Sequence, residues 1–210
     1  MSDLLDEVLA RRIVPVVVVR DAARAAGLAD ALVAGDLPVA EVTLRTAAAP
    51  EAIATMAANP GLIVGAGTVL TPEQVDLAVD AGARFLVSPG YSAATVARAA
   101  ERGVPIVPGT VTPSEVIAAL AAGLTTLKFF PASNYGGAGT LKAFSSVFAG
   151  VRFVPTGGVS AGNLGDYLSL PNVPAVGGSW MVPADAIDAG DFTTVERLSA
   201  EAVAAAAALA

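Results

Sequence analysis

The 210-residue chain contains no cysteine and no histidine. The first absence excludes disulfides and a thiolate nucleophile. The second removes the usual general base and the commonest transition-metal ligand, so a metal site would need oxygen ligands alone. Lysine is scarce, with only Lys128 and Lys142 in the whole sequence. No apolar run approaches the ~20 residues of a membrane span, and only 15% of residues are charged. A net charge of −7 and a pI near 4.5 argue against nucleic acid and anionic membrane as partners. Any anionic substrate must then be held by a few local donors. What remains for chemistry is Lys, Glu, Asp, Arg, Tyr and hydroxyl groups, which favours covalent catalysis with no metal and no cofactor.

The apolar content of 54% and the mean hydropathy of +0.66 are ample for a large core. A buried subunit interface would explain part of the low charge, as would Ala-rich helices. The start, MSDLLDEVLARR, is acidic before it is basic and leads into a short strand, so it is read as the first helix of a cytoplasmic protein and not as a signal peptide.

Along the chain, short β-branched runs alternate with Ala-rich helical stretches, and Gly, Pro, Thr or Ser mark the junctions. Strands are expected at Ile13 to Val19, Val39 to Leu44, Leu62 to Ala66, Phe85 to Val87, Ile106 to Val107, Thr125 to Phe129, Phe153 to Val154 and Ala175 to Val176. Eight such βα units predict a small (β/α)8 TIM barrel with an N-terminal helix, formed by residues 1–210 as a single α/β domain. Thr71-Pro72-Glu73-Gln74 and Thr112-Pro113-Ser114-Glu115 each predict a helix start with an N-cap threonine and a proline at the first helical position. A doubly wound open sheet is the competing architecture, and no GxGxxG motif opens the first helix to support it.

Lys128 stands among apolar neighbours in TTLKFFPAS. Burial disfavours the charged form of a lysine and raises the fraction of free amine able to attack a carbonyl, which makes Lys128 a candidate Schiff-base nucleophile. A lysine whose head snorkels to water is the plainer alternative. In VAEVTLR, strand alternation puts Glu41, Thr43 and Arg45 on one face and Ala40, Val42 and Leu44 on the other. With the apolar face toward the helices, the polar face points inward, where Lys128 shares its parity with Thr126 and Phe130. Carboxylate, guanidinium and amine then converge near the mouth of the barrel, or Glu41 and Arg45 form a structural ion pair in the core.

In IVGAGTVLTPEQ, Gly65 and Gly67 permit close backbone approach and Thr68 adds a hydroxyl, although such glycines equally serve strand–helix packing. The last two strands end in Thr156-Gly157-Gly158 and Gly177-Gly178-Ser179. Barrels bind phosphate in the loops after strands seven and eight through backbone N–H groups, a role that suits these uncharged loops.

The segments EVTLRT, GAGTVLTPEQ, SPGYS, VPGTVTPSE, LKFFPAS, FVPTGGVS and GGSWMVPADA, taken in order, resemble the 2-keto-3-deoxy-6-phosphogluconate (KDPG) aldolases from about Ile13 to the C-terminus. The resemblance implies a class I pyruvate aldolase, generally a homotrimer, with Lys128 as Schiff-base lysine and Glu41 as general acid/base. It further implies that Arg45 and Thr68 bind the pyruvyl carboxylate and that Pro89 shapes that pocket. Thr156, Gly157, Gly158, Gly178 and Ser179 would serve the aldehyde half and its phosphate. The expected reaction yields pyruvate and glyceraldehyde 3-phosphate; 6-phosphogalactonate and 4-hydroxy-2-oxoglutarate aldolases are the related alternatives. Thr156 looks more like the gluconate-specific members, and Ser133 departs from the acidic residue often found after FPA. A phosphosugar isomerase or epimerase, or a non-catalytic or engineered barrel scaffold, are readings from other classes.

Overall fold

The computed structural model describes residues 2–209; Met1 and Ala210, the ends of the expected 1–210 domain, lie outside the described residues. Nine strands occur among the described residues: β1 (Ile13–Val17), β2 (Val39–Thr43), β3 (Ile63–Gly67), β4 (Phe85–Val87), β5 (Ile106–Val107), β6 (Gly109–Thr110), β7 (Thr126–Phe129), β8 (Arg152–Pro155) and β9 (Val176–Gly178). The helices are α1 (Ser2–Leu9), α2 (Ala25–Ala34), α3 (Ala49–Ala57), α4 (Pro72–Asp80), α5 (Ala93–Glu101), α6 (Pro113–Ala121), α7 (Gly137–Val147), α8 (Leu164–Leu168), α9 (Ala184–Ala189) and α10 (Phe192–Ala207). None is long and apolar enough to cross a membrane.

Every strand pairing is parallel, as helical crossovers between consecutive strands require. Six strands pair in the order β5-β4-β3-β2-β1-β9, and three more in the order β6-β7-β8. The two sheets meet at the parallel bridge between Thr156 and Gly177. The expected fifth strand is observed, but Pro108 separates it from the short β6, because proline has no N–H to give to the ladder. The Pro108 carbonyl still accepts from the Lys128 amide at 2.9 Å. The alternating parallel βα pattern read from the sequence is therefore the architecture, drawn as two sheets where one ring of eight strands was expected.

Helix starts fall where the local signals place them. The Thr71 side chain accepts from the Gln74 amide at α4, and Thr112 and Glu115 form a reciprocal capping box at α6. The outer faces of β7 and β8 carry large aromatic side chains. Phe129 and Phe153 are fully buried, and the Phe144 ring of α7 stands 6.2 Å and 5.7 Å from theirs. Burial of each such ring contributes roughly 2–3 kcal/mol and fixes which face of β7 and β8 meets the helices. The alternate residues, Lys128 among them, must then point the other way.

Candidate active site

Glu41 on β2 and Lys128 on β7 belong to different sheets, and their side chains meet. Lys128 Nζ donates to Glu41 Oε1 at 3.2 Å, with the two residues 4% and 3% exposed. The Lys128 head therefore does not reach water, which removes the snorkelling alternative. Its ammonium also sits 5.2 Å from the centre of the Phe130 ring. The core ion pair that joins Glu41 to Arg45 in the alternative reading is replaced by this Glu41–Lys128 pair. Arg45, one residue pair beyond the end of β2, is exposed, and its Nε donates to Thr68 Oγ1 at 3.2 Å. Thr43, between them on the same face, is fully buried and donates to the Val17 carbonyl of β1 at 2.9 Å.

Backbone geometry at the strand ends is tight. Thr68 has φ of 59°, a left-handed conformation that a β-branched residue adopts at a cost. Gly67 precedes it, and a Cβ there would stand 2.2 Å from Glu41 Oε1. A Cβ on Gly65 would meet the Phe85 ring at 2.4 Å. These two glycines make room for interior side chains of neighbouring strands, and strand–helix packing does not account for them.

Half-buried Pro89 follows β4, and its carbonyl would lie 2.1 Å from a Cβ on Gly109. Gly109 is the register partner of Lys128, so the Pro89 loop passes directly beside the lysine strand. Thr156 is buried, lines the same small compartment as Glu41 and Lys128, and occupies the space that a Cβ on Gly177 would take. Gly157 and Gly158 both have positive φ, 93° and 79°, which turns the chain away from β8 without a Cβ penalty. The loop after β7 is laced to this turn: the Ala132 amide donates to the Thr156 carbonyl at 2.8 Å and the Ser133 amide to the Gly157 carbonyl at 3.0 Å. Ser133 thus rests on Gly158, where a Cβ would stand 2.4 Å from its hydroxyl. Gly178 ends β9 under the Trp180 ring, and Ser179 is exposed beside it.

The structure brings together Glu41, Lys128 and Thr156 inside, and places Arg45 with Thr68 at the strand ends. Gly157, Gly158, Gly178 and Ser179 form a second group after β8 and β9, whose ends are joined by the Thr156–Gly177 bridge. Sequence reading missed the spacer roles of Gly109 and Gly177; glycines at the ends of strands adjacent to the polar ones are the signal that marks them.

A buried amine held by a carboxylate can form and break an imine. Residues 5–198 match the family described as KDPG and KHG aldolase. The chain belongs to that aldolase family. It is 47% identical over 192 residues to the KHG/KDPG aldolase of Escherichia coli K12, a match covering 91% of this chain and 90% of the relative. It is 46% identical over 197 residues to the 2-dehydro-3-deoxy-phosphogluconate aldolase of Dickeya dadantii, covering 93% and 92%. Among solved members of the family, the Zymomonas mobilis ZM4 KDPG aldolase with 3-phosphoglycerate superposes with a TM-score of 0.90 at 44% identity, covering 95% of each chain. The Legionella pneumophila KDPG aldolase, with pyruvate captured at low pH as a covalent carbinolamine, gives 0.89 at 42% identity, covering 92% of this chain and 95% of that one.

Proposed function

We propose that this chain is a class I aldolase that cleaves 2-dehydro-3-deoxy-6-phosphogluconate to pyruvate and glyceraldehyde 3-phosphate through a Schiff base on Lys128. The observation that carries the reading is the buried contact of 3.2 Å between Lys128 Nζ and Glu41 Oε1. It supplies an amine and a proton carrier at one point.

In the mechanism, Glu41 takes a proton from the Lys128 ammonium, and the freed amine attacks the C2 ketone to give a carbinolamine. Glu41 delivers a proton to the departing hydroxyl, and loss of water leaves an iminium. The Glu41 carboxylate then takes the C4 hydroxyl proton, directly or through a water. The C4–O electrons form the aldehyde, the C3–C4 bond breaks, and its electrons pass to the iminium nitrogen as an enamine. Protonation of the enamine at C3 from Glu41 and hydrolysis of the iminium release pyruvate and regenerate the amine. Arg45, with its planar fork, and Thr68 hold the carboxylate, and Pro89 walls that pocket. Thr156 contacts the aldehyde half, and Gly157, Gly158, Gly178 and Ser179 hold its phosphate.

The positive-φ turn at Gly157 and Gly158 and the exposed Ser179 hydroxyl support a phosphorylated aldehyde over glyoxylate. The frame for this site is a closed (β/α)8 barrel in one domain: the pairing of the first strand with the last, β1 with β9, and the Thr156–Gly177 bridge support closure, with β5 and β6 as halves of one strand. A homotrimer is the assembly assigned, supported by the exposed apolar side chains Leu70, Leu77 and Ile117. The cytoplasm is the compartment assigned, since a phosphorylated sugar acid does not cross a bilayer unaided.

The test is kcat/KM on 2-dehydro-3-deoxy-6-phosphogluconate, its galactonate epimer and 4-hydroxy-2-oxoglutarate, with pyruvate release as the readout. The reading requires the phosphogluconate to be preferred; equal values on all three would remove the specificity assignment.

A further inference from the structure

We propose that Val8 of α1 is a positioning residue for Lys128: it floors an apolar compartment under the Glu41–Lys128 pair and keeps the amine directed at the carboxylate. This inference rests on the reading of Lys128 as the nucleophile.

The compartment has a volume of about 20 Å³ and is lined by Leu5, Val8 and Leu9 of α1, by apolar strand residues such as Val14 and Val154, by Thr156, and by Glu41 and Lys128 themselves. Val8 is 3% exposed. That volume corresponds to about one water, and the α1 side chains offer no hydrogen-bond partner to hold one. The other polar side chain there, Thr156, donates its hydroxyl to the Val154 carbonyl at 3.5 Å, and Lys128 Nζ donates to Glu41, the partner toward which the amine is driven because an unpaired polar group among these valines and leucines is costly.

α1 is fastened to the strand that bears the lysine. It runs into β1 through a three-residue turn, and grooves on its two flanks are lined by residues at or just before strand starts, Thr125, Thr126 and Arg152 on one side and Pro38, Val39 and Ile63 on the other. The helix thus lies across the N-terminal ends of the strands. Arg152, at the start of β8, donates to Thr126 Oγ1 through Nε at 3.1 Å and through Nη2 at 2.8 Å, and pairs with Asp6 of α1. Thr126 lies two residues before Lys128 on the same strand face. The floor and the nucleophile are therefore tied to one another at Thr126.

A hydroxyl introduced at Val8 keeps the side-chain shape but gives the amine a competing partner and gives water a foothold. Orientation of the nucleophile is lost while the carboxylate and phosphate contacts at the other end of the strands stay intact. The experiment compares wild type, Val8→Thr, Val8→Ala and Val8→Ile in steady-state cleavage of 2-dehydro-3-deoxy-6-phosphogluconate, with Tm and borohydride trapping of pyruvate followed by intact mass. Val8→Thr is expected to lower kcat about tenfold with KM within about twofold of wild type. Val8→Ile, which keeps the floor apolar, is expected to lose less kcat than Val8→Thr. Val8→Ala, which enlarges the compartment without adding a polar group, carries the same expectation of lowered kcat if the threonine variant does not fold. Wild-type kcat in the folded threonine or alanine variant overturns the inference, and so does an equal loss in threonine and isoleucine variants, which would make Val8 a packing residue only. Absence of a Lys128 adduct in the wild type is the separate result that overturns the functional reading.

Discussion

Gly67 makes room for the Glu41 carboxylate: a Cβ at position 67 would stand 2.2 Å from Oε1 and 2.6 Å from Cγ of Glu41. Gly67 pairs with Thr43 in the β2–β3 register, two residues beyond the pairing of Glu41 with Gly65, so the glutamate side chain leans up the strand over it. Gly67→Ala is expected to fold, because its φ lies outside the left-handed range, yet to displace the carboxylate from Lys128. A displacement on the ångström scale costs about a hundredfold in rate, to be measured as kcat on the phosphogluconate. Unchanged kcat would contradict the role given to Glu41.

The Glu41–Lys128 pair is also a structural risk. Lys128→Met is expected to abolish imine formation and to leave Glu41 buried without its partner, at a cost of order 3 kcal/mol. That corresponds to a fall in Tm of about 6–12 °C for a chain of this length. Adding Glu41→Gln to Lys128→Met is expected to restore most of the lost stability and none of the activity. Thermal melts of the two single variants and the double variant read this directly.

Thr68 combines a strained backbone with a proposed role in holding the carboxylate. Its left-handed φ of 59° is easily taken by glycine, while its hydroxyl accepts from Arg45. Thr68→Gly is expected to leave stability unchanged or raised by up to about 1 kcal/mol. It is also expected to raise KM for pyruvate in the condensation direction. A lowered Tm with unchanged KM would contradict the assignment.

Much of this site is legible in the sequence because it rests on local rules. Alternation along VAEVTLR and TTLKFF is enough to put Glu41 and Lys128 on interior faces, and Thr-Pro-x-Glu or Thr-Pro-x-Gln is enough to start α4 and α6. What the sequence hides is pairing across the sheet. Nothing in VAEVTLR says that Glu41 meets a lysine 87 positions away in preference to Arg45 four positions away. The ladder break at Pro108, the spacer glycines Gly109 and Gly177, and the compartment that α1 shares with Glu41 and Lys128 likewise depend on which strands become neighbours.

The α6 capping box gives a pH dependence. Partial burial pushes the Glu115 carboxyl up, but hydrogen bonds from the Val111 and Thr112 amides and the Thr112 hydroxyl outweigh it, and the group sits below the ordinary value of 4.5. A carboxyl held low in the folded state stabilises above its unfolded value, and that stabilisation is lost as pH falls through the folded value. Glu115→Gln is therefore expected to lower Tm at pH 7, and the gap from wild type should shrink on acidification below about pH 4.5. A gap constant with pH would assign Glu115 no charge-dependent role.

Trp180, the single tryptophan, packs over Gly178 next to Ser179, beside the loops proposed to hold the phosphate. Its fluorescence is expected to change on titration with 3-phosphoglycerate, and Ser179→Ala is expected to weaken that binding about tenfold, as for loss of one hydrogen bond to a charged group. Equal affinity in the two proteins would move the phosphate elsewhere.

The central claim is a covalent bond at Lys128, and borohydride reduction in the presence of pyruvate tests it most directly, read by intact mass and peptide mapping. One reduced pyruvyl adduct is expected on Lys128, absent when pyruvate or borohydride is omitted. No adduct, or an adduct on Lys142, would contradict it.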